Sequence, residues 1–112
     1  ERIADALTPR TRAIAFCHVT RGGHRYPVKA LAQLASERGV LCLVDGAQAV
    51  GQFPIDLHDL GCDAYSASLH KWMLGPAGTG FLYVRESRAS ASGRPSPTTR
   101  PWARPPSDLP AP

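Results

Sequence analysis

No stretch of this sequence is long and apolar enough to cross a membrane, and its first residues lack the charged-then-apolar pattern of a secretion signal. Cysteine is scarce: the three residues Cys17, Cys42 and Cys62 lie inside apolar runs and form no Cys-x-x-Cys pair. This pattern predicts buried free thiols in a reducing compartment, and it argues against a disulfide framework or a zinc site. We therefore expect a cytoplasmic protein with no membrane span and, because no His/Cys/Asp cluster has ligand spacing, no metal.

Net charge is also low over most of the chain. The sequence carries +4, but four arginines and one aspartate give residues 87–112 a charge of +3, which leaves +1 for residues 1–86. A nearly neutral body argues against nucleic-acid binding.

Residues 87–112 also hold seven of the 11 prolines, beside Ser and Arg, and only two large apolar side chains. Such a segment cannot bury enough surface to offset its ordering entropy, so we predict a disordered tail there.

Residues 1–86 alternate between strand-like and helix-like patterns. Four short strand-like runs, mostly apolar except for the third, predict strands at residues 12–19, 40–44, 63–68 and 80–84. Apolar residues at helical spacing predict a helix that begins at Pro27 and is closed by Gly39. Short helical segments are expected at residues 1–7, 46–50 and 56–60. The order strand, loop, helix, strand is typical of a right-handed βαβ unit, so the expected fold class is α/β.

Two polar groups directly follow predicted strands. Asp45 lies at the carboxyl end of its strand, where open α/β sheets bind ligands. Lys71 follows the 63–68 strand among small and polar residues, where its amine can be partly desolvated and act as a nucleophile. By residue type alone, an exposed lysine and an Asp-Gly turn are the simpler interpretations. An amine and a carboxylate that converge at one sheet edge nevertheless suit pyridoxal phosphate, which bonds a lysine and pairs its ring nitrogen with an acid.

Around these two residues the sequence resembles the class V aminotransferase family of pyridoxal-phosphate enzymes, which includes cysteine desulfurases and isopenicillin N epimerase-like enzymes. The resemblance covers roughly residues 5–86 and rests on the motifs VDGAQAVG, SASLHKW and GPAGTGFLYVR. It implies that residues 1–86 form part of the large domain of fold type I, a partial three-layer α/β/α sheet. It also implies a fragment, since the family's amino-terminal phosphate contacts and carboxyl-terminal substrate-binding arginine have no counterpart here.

The resemblance implies roles for five residues. Lys71 would form a Schiff base with pyridoxal 5'-phosphate and then act as general base, while Asp45 would keep the pyridine nitrogen protonated. Gln48 would donate a hydrogen bond to the phenolic oxygen of the cofactor. Ser68 and His70, which alternate along an extended chain, would contact the phosphate. Exposed polar positions remain the alternative for the last three. The implied partners are an amino-acid substrate and a second copy in a homodimer.

Other features leave alternatives open. The loop after His18, VTRGGHRY, lacks the Asn or Thr-Gly pattern of the family, and His18 itself suits either a core position or a contact with the cofactor ring. The glycine-rich segment 75–80 precedes a strand and has no Gly-Lys-Ser/Thr ending, which favours a tight turn over a phosphate loop.

The alternative functions are a non-catalytic remnant and a cysteine desulfurase or lyase-type member. We expect the 112 residues to be inactive alone.

Overall fold

The computed structural model describes residues 2–89, and side chains as far as residue 87. Within this range the chain forms four helices and four strands: α1 (Arg2–Ala6), β1 (Ala13–Cys17), α2 (Val28–Glu37), β2 (Leu41–Asp45), α3 (Leu57–Leu60), β3 (Ala64–Ser68), β4 (Gly80–Val84) and α4 (Glu86–Ala89). No helix in these residues is long and apolar enough to span a membrane. Apart from residues 87–89, which belong to α4, the predicted tail lies outside the described residues.

The four strands form one sheet in the order β1-β2-β3-β4. The first three strands are parallel and β4 runs antiparallel to β3, so the sheet is mixed. The parallel pairing places Cys17 opposite Asp45, and Asp45 opposite Ser66. Because the carboxyl ends of parallel strands share one edge, the ends of β1, β2 and β3 meet there. The α/β fold class and the parallel βαβ unit are confirmed.

The core lies between one face of this sheet and α2. Helix α2 is amphipathic and buries Val28, Ala32 and Ala35 against the inward side chains of β2 and β3. Tyr65 is the largest fully buried side chain, at 0% exposure. Burying a large apolar side chain contributes about 1.5–3 kcal/mol, so this side of the sheet supplies most of the packing energy.

The opposite face of the sheet carries apolar side chains that no described helix covers. Leu43, Leu82 and Val84 are 36%, 67% and 42% exposed, although all three lie in strands. Strand residues alternate between faces, so these side chains point away from the α2 layer. Residues 2–89 thus contain the sheet and one helical layer of the three-layer arrangement implied by the resemblance.

The prediction of a short helix at residues 46–50 was wrong. Residues 47–49 form a turn in which the N–H groups of Ala49 and Val50 both donate to the carbonyl oxygen of Gly46. Gly51 then takes a φ of +92°, which lies in the left-handed region and redirects the chain. The other short helices are confirmed: α1 is present, and α3 begins after Asp56, whose carboxylate accepts hydrogen bonds from the N–H groups of His58 and Asp59.

Candidate active site

Asp45 is the last residue of β2, and its backbone is fixed on both sides. Its carbonyl oxygen accepts a hydrogen bond of 2.8 Å from the N–H of His18, and the next N–H, of Gly46, donates to the carbonyl of Ser66 at 2.7 Å. The carboxylate Oδ1 accepts from the N–H of Ala47 at 2.8 Å. Within residues 2–89, Oδ2 has no hydrogen-bond donor. The exposed carboxylate is thus oriented by the chain and retains one oxygen for a ligand.

A buried pair of side chains lies under this turn. The Nδ1 atom of His18 and the hydroxyl of Tyr65 are 2.8 Å apart, and His18 is only 2% exposed. Burial, with a contribution from Arg25, lowers the pKa of His18, and burial raises the pKa of Tyr65. Both groups are therefore neutral near pH 7. His18 is thus a hydrogen-bonded core histidine, one of the two alternatives that its sequence position left open.

Gly46 packs directly against that pair. A Cβ atom at this position would overlap the Tyr65 ring at Cε1 and Cζ, so no larger residue fits without moving the ring. The ring has little freedom to move, because its hydroxyl is bonded to His18 and its other neighbours include the stacked ring of Phe81. Close packing therefore requires glycine at position 46, directly after the acid.

Lys71 lies in a tight loop between β3 and β4. Its carbonyl oxygen accepts from the N–H of Leu74 at 3.1 Å, and the loop is closed by a bond of 2.7 Å from the N–H of Gly75 to the carbonyl of Leu69. The glycine-rich segment serves as a turn, as predicted. The Lys71 side chain is exposed, so residues 2–89 do not provide the desolvation that we expected for its amine.

The turn after Asp45 and the loop of Lys71 are joined to each other. The Oε1 atom of Gln48 accepts a hydrogen bond of 2.9 Å from the indole N–H of Trp72. Gly51 approaches the backbone of Trp72 so closely that a Cβ atom there would lie 2.7 Å from its carbonyl carbon. These contacts fix the distance between the segments that carry the acid and the amine.

Two cavities meet at Asp45, Ala47 and Lys71, which line both of them. One cavity, of about 370 Å³, is also lined by Gln48 and Arg21. The other, of about 450 Å³, is also lined by Ser68. Four of the five predicted site residues, all except His70, thus border one continuous region. His70 is exposed and lines neither of these two cavities.

Cys17 and Arg21 border the first cavity but were not predicted as site residues. The prediction that all three cysteines are buried was wrong for Cys17, because strand alternation places its side chain on the uncovered face of the sheet. Arg21 lies in the loop that departs from the family pattern, and nothing in the local sequence predicted that its side chain would border the site. Its position depends on how that loop folds, which is a tertiary property.

The three thiols should therefore differ in reactivity. Cys42 and Cys62 are 1% and 0% exposed, and burial together with neighbouring Cys62 and Asp63 raises the pKa of Cys42 to about 12. Only the thiolate reacts with a disulfide reagent, and a raised pKa leaves almost none of it at pH 8. We expect one rapidly labelled thiol in the folded chain, three after unfolding, and none in a folded Cys17→Ser variant. Rapid labelling of two or more thiols in the folded chain would contradict the burial of Cys42 and Cys62.

Comparison with known proteins places this chain in a family. The family model described as aminotransferase class V matches residues 1–98. An isopenicillin N epimerase of Amycolatopsis lactamdurans is 46% identical over 89 residues, which are 79% of this chain and 22% of that protein. A cysteine desulfurase of Klebsiella pneumoniae subsp. pneumoniae is 49% identical over 84 residues, 74% of this chain and 20% of that protein.

Solved structures agree with this placement. The structure of SspA in complex with cysteine is 33% identical, has a TM-score of 0.71 and is matched over 78% of this chain and 25% of its own. The apo structure of a cysteine desulfurase from Thermococcus onnurineus NA1 is 32% identical, with a TM-score of 0.67 over 70% of this chain and 20% of its own. The fold is thus an α/β fold of the cysteine desulfurase type. The chain belongs to the class V aminotransferase family and spans about a quarter or less of the length of these relatives.

Proposed function

We propose that this chain forms part of a pyridoxal-phosphate-dependent enzyme that acts on an amino acid through a Schiff base at Lys71. The observation that carries the proposal is the joint position of Asp45 and Lys71 at the meeting point of two cavities. Members of the class V family in general depend on pyridoxal phosphate. Relatives named isopenicillin N epimerase and cysteine desulfurase match this chain at 46% and 49% identity, so the proposal stops at an amino-acid substrate and does not choose between their reactions.

The order of side chains across the two cavities fits this cofactor. Around the pyridine ring, the aldehyde carbon lies between the phenolic oxygen on one side and the phosphate-bearing carbon on the other. Lys71 borders both cavities, Gln48 borders only the first and Ser68 borders only the second. An amine flanked by an amide donor and a hydroxyl donor matches that order of substituents. Because the Oε1 atom of Gln48 already accepts from Trp72, its NH₂ group is the part left to donate.

Each residue then has a defined task. When bound, the cofactor supplies an electron sink for the pair of electrons released at the substrate Cα. Lys71 would hold the cofactor through its amine and, once the substrate amine has replaced it, would move the Cα proton as a general base. Asp45 would hold a proton on the ring nitrogen with the oxygen left open by its turn. Ser68 would hold the phosphate, and His70 is assigned to the same group by resemblance alone.

The proposal is tested by cofactor loading and borohydride reduction. The protein for this test is the complete protein, meaning this chain with any residues that its gene encodes on either side. We expect visible absorbance from a Schiff base, its loss on reduction, and a stable mass increase on the peptide that contains Lys71. A reduced label on another lysine, with none on Lys71, would contradict the assignment.

The alternative of a non-catalytic remnant is tested by measuring cofactor loading on two samples, the 112-residue chain and the complete protein. The 112-residue chain alone is expected to take up the cofactor weakly, because it spans 22% of its epimerase relative and one sheet face carries exposed apolar strands. We expect the complete protein to load the cofactor and to turn over an amino acid in a homodimer. A complete protein that loads no cofactor would favour the remnant.

A further inference from the structure

Trp72 reaches the candidate site through a residue of its wall and lines neither of the two cavities itself. Its side chain is 55% exposed, yet the indole N–H donates a hydrogen bond of 2.9 Å to the Oε1 atom of Gln48, 24 positions earlier in the chain. Gln48 is half-buried and lines the first cavity together with Asp45 and Lys71. Any effect of the indole N–H on that cavity must therefore pass through the Gln48 amide.

The backbones of both residues are held by other contacts. Gln48 lies in the turn whose N–H groups converge on the carbonyl oxygen of Gly46, and its own carbonyl accepts from the side-chain amide of Gln52. The backbone of Trp72 packs closely against Gly51. The two residues are thus brought together independently of the bond between their side chains, so this bond sets only the direction of the Gln48 amide.

The chemistry of the two groups allows one direction alone. A glutamine amide has an oxygen that accepts and an NH₂ group that donates, whereas an indole N–H can only donate. If the Gln48 amide turned over, two donors would face each other. The Oε1 atom therefore faces Trp72, and the NH₂ group lies at the other end of the amide, where it makes no hydrogen bond with any residue from 2 to 89. Trp72 is the contact that makes Gln48 a donor toward the cavity.

This direction matters for the group that the proposed function, on which this step depends, brings into the cavity. The phenolic oxygen of pyridoxal phosphate carries negative charge when ionised, and a hydrogen-bond donor stabilises that form. The same oxygen stabilises the positive charge of the neighbouring Schiff base, so a donor on the oxygen makes the Schiff base lose its proton at a lower pH. We propose that Trp72 is a positioning residue that holds the Gln48 amide with its NH₂ group toward the phenolic oxygen of the cofactor.

The test uses the complete protein and compares Trp72→Phe, Gln48→Leu and the double variant. Trp72→Phe keeps an aromatic ring and removes the N–H. Met73→Leu is the matched control, because Met73 is exposed on the same loop and makes no hydrogen bond to Gln48. Two quantities are measured with pyridoxal phosphate: the dissociation constant of the cofactor, and the midpoint pH at which the visible absorbance of the Schiff base changes. The indole N–H resonance is recorded by NMR without cofactor.

We expect Trp72→Phe to weaken cofactor binding about 2- to 10-fold and to raise the midpoint pH by about 0.4–1.1, the equivalent of one net hydrogen bond. Gln48→Leu should change both quantities at least as much. Adding Trp72→Phe to Gln48→Leu should change neither further, because the amide through which the indole acts is gone. Met73→Leu should match the unaltered protein. Without cofactor, the resonance that Trp72→Phe removes should move in Gln48→Leu.

A loss of cofactor affinity in Trp72→Phe with an unchanged midpoint pH would mean that the loop only packs less tightly, and it would overturn the inference. An equal change of midpoint pH in the presence and absence of the Gln48 amide, or an indole resonance that Gln48→Leu does not move, would overturn it as well. In these cases the Schiff base at Lys71 stands. If borohydride labels no lysine of the complete protein, the proposed function fails, and the role of Trp72 toward the cofactor fails with it.

Discussion

A Lys71→Ala variant is expected to take up no borohydride-reducible label and to lose at least about 10³-fold in turnover of its amino-acid substrate. The first effect follows because the amine that would hold the cofactor is removed. The second follows because the same amine would act as general base, a role that alone contributes about 10²- to 10⁴-fold. Turnover and the reduced label are measured on the complete protein loaded with pyridoxal phosphate.

The sequence offers a matched control for this result. Lys29 and Lys71 are the only lysines among the 112 residues. Lys29 is exposed and forms a surface ion pair of 2.6 Å with Asp59, which contributes little to stability. Lys29→Ala should therefore keep both the label and the activity. Equal label on Lys71→Ala and on the unaltered protein would show that the Schiff base forms elsewhere.

The strands and the position of the acid could be predicted from local sequence. Parallel strands that are packed against a helix need continuous apolar residues, and β1 and β2 show such runs, whereas β3 alternates small or aromatic residues with serine. Asp45 ends one of these runs, so its place at the sheet edge followed from the strand itself. Lys71 could be placed after β3 in the same way. Their closeness depended on the parallel order of the sheet, which the βαβ pattern predicted.

The remaining features depend on contacts between distant residues. Gly46 looked like an ordinary turn residue, yet it is fixed by the ring of Tyr65, 19 positions further on. His18 pairs with a phenol 47 positions away, and nothing in either local sequence indicates that partner. The 46–50 segment had helical residues but formed a turn, since the N–H of Gly46 is bonded to β3 and Gly51 reverses the chain. Tertiary packing overrode local propensity there.

Gly46→Ala is expected to destabilise the protein by about 1–3 kcal/mol, the usual cost of forcing extra volume into a packed core. The added Cβ would overlap the buried ring of Tyr65, and moving that ring would break its hydrogen bond with His18. The shift would also reach Asp45, whose carbonyl is bonded to the N–H of His18. We therefore expect weaker cofactor uptake along with a lower unfolding midpoint in denaturant melts.

Two further variants isolate the overlap as the cause. Gly22→Ala adds the same methyl group where the nearest atom, Oγ1 of Thr20, is 3.9 Å away, so its cost should stay within about 0.5 kcal/mol. In a Tyr65→Leu background the ring is absent, and Gly46→Ala should add almost nothing to the loss that Tyr65→Leu causes alone. Such non-additivity is the measure of a direct contact between two residues. If Gly46→Ala costs the same in both backgrounds, the Tyr65 ring does not require glycine beside the acid, and another constraint on the Asp45 turn must account for the loss.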